Sequence, residues 1–221
     1  MFLIDYSIAI TSFITETRDL FVKKNVMIVY SGVMIALMAI TANIGAFIMI
    51  GPIPLTLQSG MAVLSGILLG PLYGTLAIIG YLLLGLFGIP VFAGFMSAQA
   101  FFLPTAGFLL SFPIAALISG TLTAKSIDSP RIAIAAMSAM LIHYIVGTFY
   151  LFGYLNLIAE DTVSLTGASI MMTPFFVKDI IVTVVMTMLS VRLLRTPAFS
   201  FRKKEAFNYA SNEREVKHQS S

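Results

Sequence analysis

The sequence predicts an all-α integral membrane protein, a bundle of six transmembrane helices with both termini in the cytoplasm. Of the 221 residues, 58% are hydrophobic and only 10% are charged, whereas soluble domains carry roughly 25% charged residues. The apolar residues form runs long enough to cross a bilayer, and most Lys and Arg lie outside those runs or at their ends. These observations exclude a soluble enzyme and indicate a multi-pass protein of the cell membrane, with lipid as its solvent.

Six apolar runs follow one another along the chain, and Pro and Gly clusters mark the breaks between them. They lie at residues 26–50, 56–70, 72–88, 104–121, 131–153 and 171–194. A transmembrane helix needs about 20 apolar residues, so the second and third runs are short. Gly70-Pro71 is almost the only helix-breaking sequence between these two runs. The alternative is therefore a single kinked helix over both runs, which would give five spans.

The distribution of Lys and Arg favours six spans, because these residues stay on the cytoplasmic side in short loops. Basic residues precede the first run, separate the fourth from the fifth, and follow the last. They are Arg18, Lys23 and Lys24, then Lys125 and Arg131, then Arg192, Arg195, Arg202, Lys203 and Lys204. The connections at residues 51–55, 89–103 and 154–170 contain no Lys or Arg. Six spans place all the basic segments on one side, and five do not.

The chain divides into three parts. Residues 26–194 hold the six-helix membrane domain. Residues 1–25 mix charged and apolar positions and form a cytoplasmic lead-in, either an interfacial amphipathic helix or a poorly ordered extension. They lack the positive start and the cleavage site of a signal peptide. Residues 195–221 form a polar cytoplasmic tail, for which the composition predicts disorder.

The connection at residues 89–103 is apolar, aromatic and uncharged, which is unusual for a solvated loop. A non-helical segment of this kind is tolerated where it folds back over the bundle and lines or covers a cavity. The alternative is a membrane-dipping segment with only a structural role.

Lys178 and Asp179 stand near the outer end of the last run. An unpaired carboxylate at a helix centre costs roughly 2.5–3.5 kcal/mol on insertion scales, so a compensating group is expected. Adjacent helical side chains point about 100° apart, and we therefore do not expect Lys178 to be the direct partner of Asp179. Either Asp179 is a polar anchor inside a ligand cavity, or Lys178 snorkels to the interface and Asp179 caps the helix.

Other polar and aromatic side chains are expected on the same outer side and are candidates for the cavity. They are Asn43, Thr56, Gln58 and Gln99, with the aromatic residues Tyr81, Phe92, Tyr144 and Tyr150. Each has an ordinary structural interpretation, such as a helix cap for Thr56 or packing for the aromatics. His143 is interpreted as a hydrogen-bonded structural histidine. Gly32, Ala36, Ala39 and Ala46 share a face of the first span that permits close helix packing.

The sequence lacks the residues that several kinds of catalytic or binding site require. The chain has no Cys and two His, so a metal site and a catalytic triad are not expected. An intramembrane enzyme built on Asp179 and His143 would lack a second catalytic carboxylate. The basic residues form no aromatic-interleaved patch for nucleic acid. No G-x-x-x-x-G-K-[ST] loop is present, so ATP-derived energy would have to come from a partner.

Four segments carry a specific pattern. They read Gly51-Pro-Ile-Pro-Leu-Thr-Leu-Gln58, Leu64-Ser-Gly-Ile-Leu-Leu-Gly-Pro71, Tyr81-Leu-Leu-Leu-Gly-Leu-Phe-Gly-Ile-Pro-Val-Phe-Ala-Gly94 and Pro104-Thr-Ala-Gly-Phe-Leu-Leu-Ser-Phe112. Together with residues 144–151 and 174–179, they resemble the BioY family, the biotin-specific S components of energy-coupling factor (ECF) transporters. The resemblance implies a six-helix subunit that captures biotin at the outer face and works with a transmembrane coupling subunit and two ATPases. Biotin would be the transported ligand, with no cofactor and no catalytic residue.

The resemblance also implies residue roles and shows two departures. The expected substrate-binding set is Asp179, Lys178, Gln58, Thr56, Asn43, Tyr81, Phe92, Gln99 and Tyr150, and the expected partner-docking set is Gly32, Ala36, Ala39 and Ala46. A Gly-rich family stretch is replaced here by residues 95–100, and the Lys of a family Asp-x-x-Lys pattern is replaced by Val182. Either Lys178 substitutes for it, or the biotin carboxylate is held otherwise, or the ligand is a different vitamin. A stand-alone secondary transporter of a vitamin-like solute is the remaining alternative.

Overall fold

The computed structural model describes residues 2–45, 49–50, 53–54, 56–159 and 161–219, and most of them are helical. The helices are α1 (Phe2–Gly45), α2 (Gln58–Leu86), α3 (Ala106–Leu122), α4 (Ser129–Leu157), α5 (Leu165–Leu194) and α6 (Ser200–Gln219). Two-residue strands β1 (Met49–Ile50) and β2 (Ile53–Pro54) pair antiparallel between α1 and α2. Short 3-10 helices cover Ala98–Phe102 and Pro197–Phe199.

Four helices of the described chain are long and apolar enough to cross a membrane. They are Phe21–Gly45 within α1, and the whole of α2, α4 and α5. The apolar helix α3 has 17 residues and is about 26 Å long, close to the roughly 30 Å of a bilayer core. Large apolar side chains such as Leu72, Ile134 and Ile170 are more than 60% exposed, as expected for a bundle surrounded by lipid.

Helix α2 is a hairpin of two antiparallel arms, residues 58–69 and 71–86. Gly70 between them has φ 81° and ψ 177°, a conformation open essentially to glycine alone. Ser65 Oγ donates to Gly74 O at 3.1 Å across nine residues, which a continuous helix would place about 14 Å apart. The arms are therefore separate crossings. The prediction of six spans is confirmed, and the alternative of one kinked helix is wrong.

Close contact between α2 and α3 fixes the hairpin within the bundle. A Cβ built on Gly66 would lie 2.1 Å from Ala116 O, and one built on Gly120 would lie 2.6 Å from Pro71 N. Glycine at these positions lets the two backbones touch, as small residues do at membrane helix interfaces. The contact places the hairpin turn beside the C-terminal end of α3.

The two terminal segments are ordered as helices. Helix α1 runs without a break from Phe2, so the interpretation of the lead-in as a poorly ordered extension is wrong for residues 2–25. The prediction of a disordered tail is also wrong, because α6 covers most of it. Arg202 of α6 is 1% exposed and donates from Nε to Ile67 O at 3.2 Å. These contacts offset the entropy that ordering a polar segment costs.

Basic residues from distant parts of the chain meet at the end of the bundle where α6 lies, the α6 end. Lys23 Nζ lies 2.8 Å from Glu205 Oε1, and Lys125 Nζ lies 5.2 Å from the ring centre of Tyr209. Their meeting at one end agrees with an even number of spans between them. That this end faces the cytoplasm stays a prediction.

Candidate functional site

A cavity of about 140 Å³ lies between the start of α2, residues 92–105, and helices α3, α4 and α5. One water needs roughly 10–15 Å³ on the same measure, so the space exceeds a hydration site about tenfold. The first arm of α2 runs from the turn beside Arg202 to the cavity residue Gln58, a length of about 18 Å. The cavity therefore lies at the end of the bundle opposite the α6 end.

Asp179 of α5 is a buried carboxylate on the cavity wall, 4% exposed. Tyr144 Oη donates to its Oδ2 at 2.7 Å, and Ser59 Oγ donates to its Oδ1 at 2.8 Å. Lys178 Nζ lies 2.6 Å from Oδ1. A buried charge is tolerated when it is paired and its lone pairs are satisfied, and donors from α2, α4 and α5 meet that condition here.

The structure of α5 contradicts two sequence-based expectations about Lys178 and Asp179. Lys178 pairs directly with Asp179, because a flexible four-carbon stem can bend back past the 100° between adjacent helical positions. Asp179 is not a helix cap either. Helix α5 begins at Leu165, and its N-cap is Ser164. Lys178 Nζ also donates to Thr56 O at 2.6 Å, so the ammonium group joins α5 to the segment just before α2.

The connection between α2 and α3 lines the cavity through Phe92, Ala93, Met96, Ala100 and Leu103. It is not a regular helix at residues 89–97, and Phe92 N donates to Met96 O at 2.9 Å. This placement matches the predicted folding back over the bundle. Residues 89–103 are called the lid below.

Side-chain contacts from α1 and α2 hold the lid in place. Asn43 Oδ1 accepts from Phe95 N at 2.7 Å, and Tyr81 Oη donates to Val91 O at 3.0 Å. Phe92 is 1% exposed and fills a notch at Gly85, where an added Cβ would lie 2.1 Å from its ring. The lid is therefore tied to α1 and to the second arm of α2.

The predicted binding residues separate into two groups. Lining the cavity are Thr56, Gln58, Phe92, Lys178 and Asp179. Gln58 Nε2 donates to Tyr81 Oη at 2.7 Å, which leaves its amide oxygen for other contacts. Thr56 does not cap α2, because the N-cap is Leu57 and no side chain bonds there.

The other four predicted residues lie outside the cavity wall. Asn43 and Tyr81 contact the back of the lid. Gln99 is exposed and accepts from Ser97 Oγ at 2.7 Å. Tyr150 packs against Gly107 and stacks on Tyr154, with 6.4 Å between ring centres.

Sequence reasoning missed several residues of the wall. Ser59 is absent from the predicted set, and Tyr144 is predicted as part of an aromatic wall but not as a donor to Asp179. The chain holds many Ser and Tyr residues, and nothing in the local pattern selects these two. The apolar part of the wall includes Phe108, Phe112 and Phe175, which come from two different helices.

His143 also lines the cavity. Its Nδ1 lies 2.5 Å from Ser111 Oγ, so the expected hydrogen bond is present. Its ring stacks on Phe112, with centres 5.2 Å apart and planes 11° apart. Among the described residues, no group of three or more His, Asp or Glu is placed to hold a metal ion.

The predicted docking face of α1 is partly open. Gly32 and Ala36 are exposed, and a Cβ on Gly32 would meet nothing within 4 Å. Ala39 is half-buried and packs against the core of this chain. Ala46 lies outside the described residues.

Comparison with known proteins gives concordant matches. The model of the BioY family matches residues 13–198. The probable biotin transporter BioY of Pyrococcus horikoshii is 35% identical over 163 residues, which cover 72% of this chain and 93% of the relative. The biotin transporter BioY of Thermotoga maritima is 35% identical over 167 residues, which cover 75% and 94%.

A solved structure has the same fold. It is described as the S-component for biotin from an ECF-type ABC transporter, and it matches with a TM-score of 0.64 at 25% identity. The match covers 81% of this chain and 96% of the other. The six crossings thus belong to a fold already known in membrane transport. The chain belongs to the BioY family of multi-pass membrane transport proteins.

Proposed function

We propose that this chain is the substrate-binding S component of an ECF transporter and that it captures biotin in the cavity under the lid. The supporting relatives are named as biotin transporters. The observation that carries the proposal is the buried cluster of Asp179, Lys178, Tyr144 and Ser59 on the wall of an otherwise apolar cavity. Ligand pockets typically combine apolar walls with a few fixed polar groups.

The chemistry of biotin suits these walls. Its ureido ring offers N–H donors and a carbonyl acceptor, its thioether ring is apolar, and its valerate chain ends in a carboxylate. Asp179 and the free amide oxygen of Gln58 are acceptors for the ureido end. The rings of Phe92, Phe108 and Phe175 supply apolar contact for the thioether ring.

Lys178 takes the place of the family lysine in this proposal. Val182, at the family lysine position, is buried, and its Cγ1 would lie 2.5 Å from a Cβ added to Gly60. It therefore packs against α2 and carries no charge. Lys178 Nζ already reaches the cavity, 22% exposed by side chain. Because Nζ lies 2.6 Å from Asp179 Oδ1, it is proposed to bind the same end of biotin, where it donates to the ureido carbonyl oxygen. Asn43 and Tyr81 act through the lid rather than on biotin.

The energy for uptake comes from partners in this proposal, a transmembrane coupling subunit and ATPase subunits. The sequence has no ATP-binding G-x-x-x-x-G-K-[ST] loop. The coupling subunit docks on the open part of α1 at Gly32 and Ala36, where small residues allow a second helix to approach. The protein binds biotin and releases it unchanged, so it is not an enzyme and biotin is not its cofactor.

Radiolabelled biotin binding to the purified protein in nanodiscs tests the ligand. We expect saturable binding that thiamine and riboflavin do not compete away. Asp179→Asn should weaken it about tenfold to a hundredfold, because charged hydrogen bonds contribute roughly 1.5–3 kcal/mol. Asp128→Asn, at an exposed carboxylate, is the matched control and should bind normally. Binding of thiamine or riboflavin with no binding of biotin would mean a different vitamin.

Biotin uptake into proteoliposomes tests the partners. Uptake should require added coupling and ATPase subunits and should survive an uncoupler. Gly32→Leu and Ala36→Leu should abolish uptake while leaving binding intact, and Val33→Leu, at a side chain 49% exposed beside that face, should not. Uptake without ATPases that collapses with an uncoupler would identify a stand-alone secondary transporter instead.

A further inference from the structure

One hydroxyl hydrogen determines which nitrogen of His143 carries the proton. Ser111 Oγ lies 2.7 Å from Phe108 O and 2.5 Å from His143 Nδ1. A hydroxyl donates once, and a carbonyl oxygen only accepts. When Ser111 donates to Phe108 O, its lone pair accepts from an Nδ1–H group. In this arrangement Nδ1 carries the proton, and Phe108 O accepts from Ser111 as well as from the helical N–H of Phe112. The reverse arrangement, in which Ser111 donates to a bare Nδ1, would leave Phe108 O with the helix bond alone.

The other ring nitrogen is then a bare acceptor. A neutral imidazole protonated on Nδ1 has its lone pair on Nε2. No hydrogen bond to Nε2 is formed by the residues that the structure describes. Among the described residues, the side-chain N or O atom that is fully buried and lacks a partner is Thr75 Oγ1, not His143 Nε2. Since Nε2 also lacks a partner, it is not fully buried, and we infer that it is accessible from the cavity that His143 lines.

Aromatic neighbours fix the ring in this orientation. Phe112 stacks on one face of His143 at 5.2 Å. Phe108 and Tyr144 meet it edge-on at 5.1 and 5.5 Å. The side chain as a whole is 4% exposed. The acceptor is thus preorganised, and a ligand pays little entropy to use it.

A second acceptor lines the same cavity. Tyr144, which follows His143 in the chain, donates to Asp179 Oδ2, and the Asp179 carboxylate and the His143 ring both line the cavity. A cyclic urea carries two N–H donors on one ring. We propose that His143 Nε2 accepts a hydrogen bond from one ureido N–H of the ligand, which makes His143 a specificity-determining residue. The identity of that ligand rests on the proposed function.

Binding of biotin and of its two N-methyl ureido isomers tests the contact. Wild type should bind biotin more tightly than both isomers. His143→Phe keeps an aromatic ring between Phe108 and Phe112 but removes the acceptor, and it should weaken biotin at least about tenfold. It should also lose discrimination against one isomer. His143→Gln offers a side-chain oxygen as a substitute acceptor and should stay within about threefold of wild type. Normal biotin affinity in folded His143→Phe would overturn the proposal.

Nitrogen NMR of the histidine rings gives a readout that needs no substitution at His143 itself. The chain has two His, so His218→Gln isolates His143. Without ligand, Nδ1 should be protonated and Nε2 bare, and biotin should shift the Nε2 resonance. If biotin binds but Nε2 is protonated or its resonance does not shift, the proposed role of His143 is refuted and the proposed function stands. A wild type that binds no biotin refutes the proposed function and, with it, the ureido contact.

Discussion

Replacing Gly70 by Ala tests the hairpin that gives the protein its six crossings. At φ 81° and ψ 177°, a side chain strains the backbone by roughly 1–3 kcal/mol. The new Cβ would also lie 3.1 Å from Arg202 Nη1, and Arg202 is held by its own hydrogen bonds to Ile67 and Thr123. We therefore expect Gly70→Ala to lower the free energy of unfolding by about 2–3 kcal/mol.

Unfolding in mixed micelles of dodecyl maltoside and dodecyl sulfate, followed by circular dichroism, measures this loss. Gly153→Ala is the matched control, because Gly153 is helical and an added Cβ would meet nothing within 4 Å. It should leave stability unchanged or raise it by up to about 1 kcal/mol. If Gly70→Ala proves as stable as Gly153→Ala, residue 70 does not adopt this conformation and the hairpin is refuted.

A distance measurement covers the case in which Gly70→Ala fails to fold. The chain has no Cys, so spin labels attach only at Leu57→Cys and Leu83→Cys, one on each side of the turn. A continuous helix would hold these positions about 39 Å apart. The hairpin, in which Gln58 and Tyr81 are hydrogen-bonded, should bring the labels within about 15 Å.

Three further substitutions separate the two ends of the bundle. Arg202→Met removes a buried donor and should lower the free energy of unfolding by about 2–4 kcal/mol. Its biotin affinity should stay within twofold of wild type. The control Lys203→Met, at an exposed residue, should change neither quantity. Gly85→Ala places a Cβ 2.1 Å from the Phe92 ring, so the lid should shift and biotin should dissociate at least about tenfold faster in filter binding. Asn43→Leu removes two hydrogen bonds to the lid and should speed dissociation about fivefold to tenfold; unchanged dissociation would show that the lid does not gate release.

The crossings could be predicted because a bilayer leaves few solutions. Apolar length and the side preference of Lys and Arg together required six spans, and Gly70-Pro71 marked the hairpin turn. Asp179 was identifiable because a carboxylate in an apolar run needs compensation. The cavity lid followed from the absence of charge at residues 89–103.

The partners of these residues were not predictable from the sequence. Ser59 and Asp179 meet across 120 positions, and no local pattern reports such a contact. The order of α6 depends on Arg202 entering a space made by α2 and α3, which a polar composition does not reveal. The angle between adjacent helical residues argues against a pairing of Lys178 with Asp179, but this rule ignores the length of the lysine side chain.

The polar groups of the cavity favour one orientation of the ligand. Lys178 Nζ lies 2.6 Å from Asp179 Oδ1, so the cation and the carboxylate contact the same end of a bound ligand. A ureido ring can satisfy both, because its carbonyl oxygen accepts from an ammonium group and its N–H groups donate to the acceptors on Asp179 and His143. The carboxylate of the ligand then lies at the other end and is held by groups other than Lys178. The shift of the cation from position 182 to position 178 therefore changes how the ureido carbonyl is held, while the acceptors for its N–H groups keep their place.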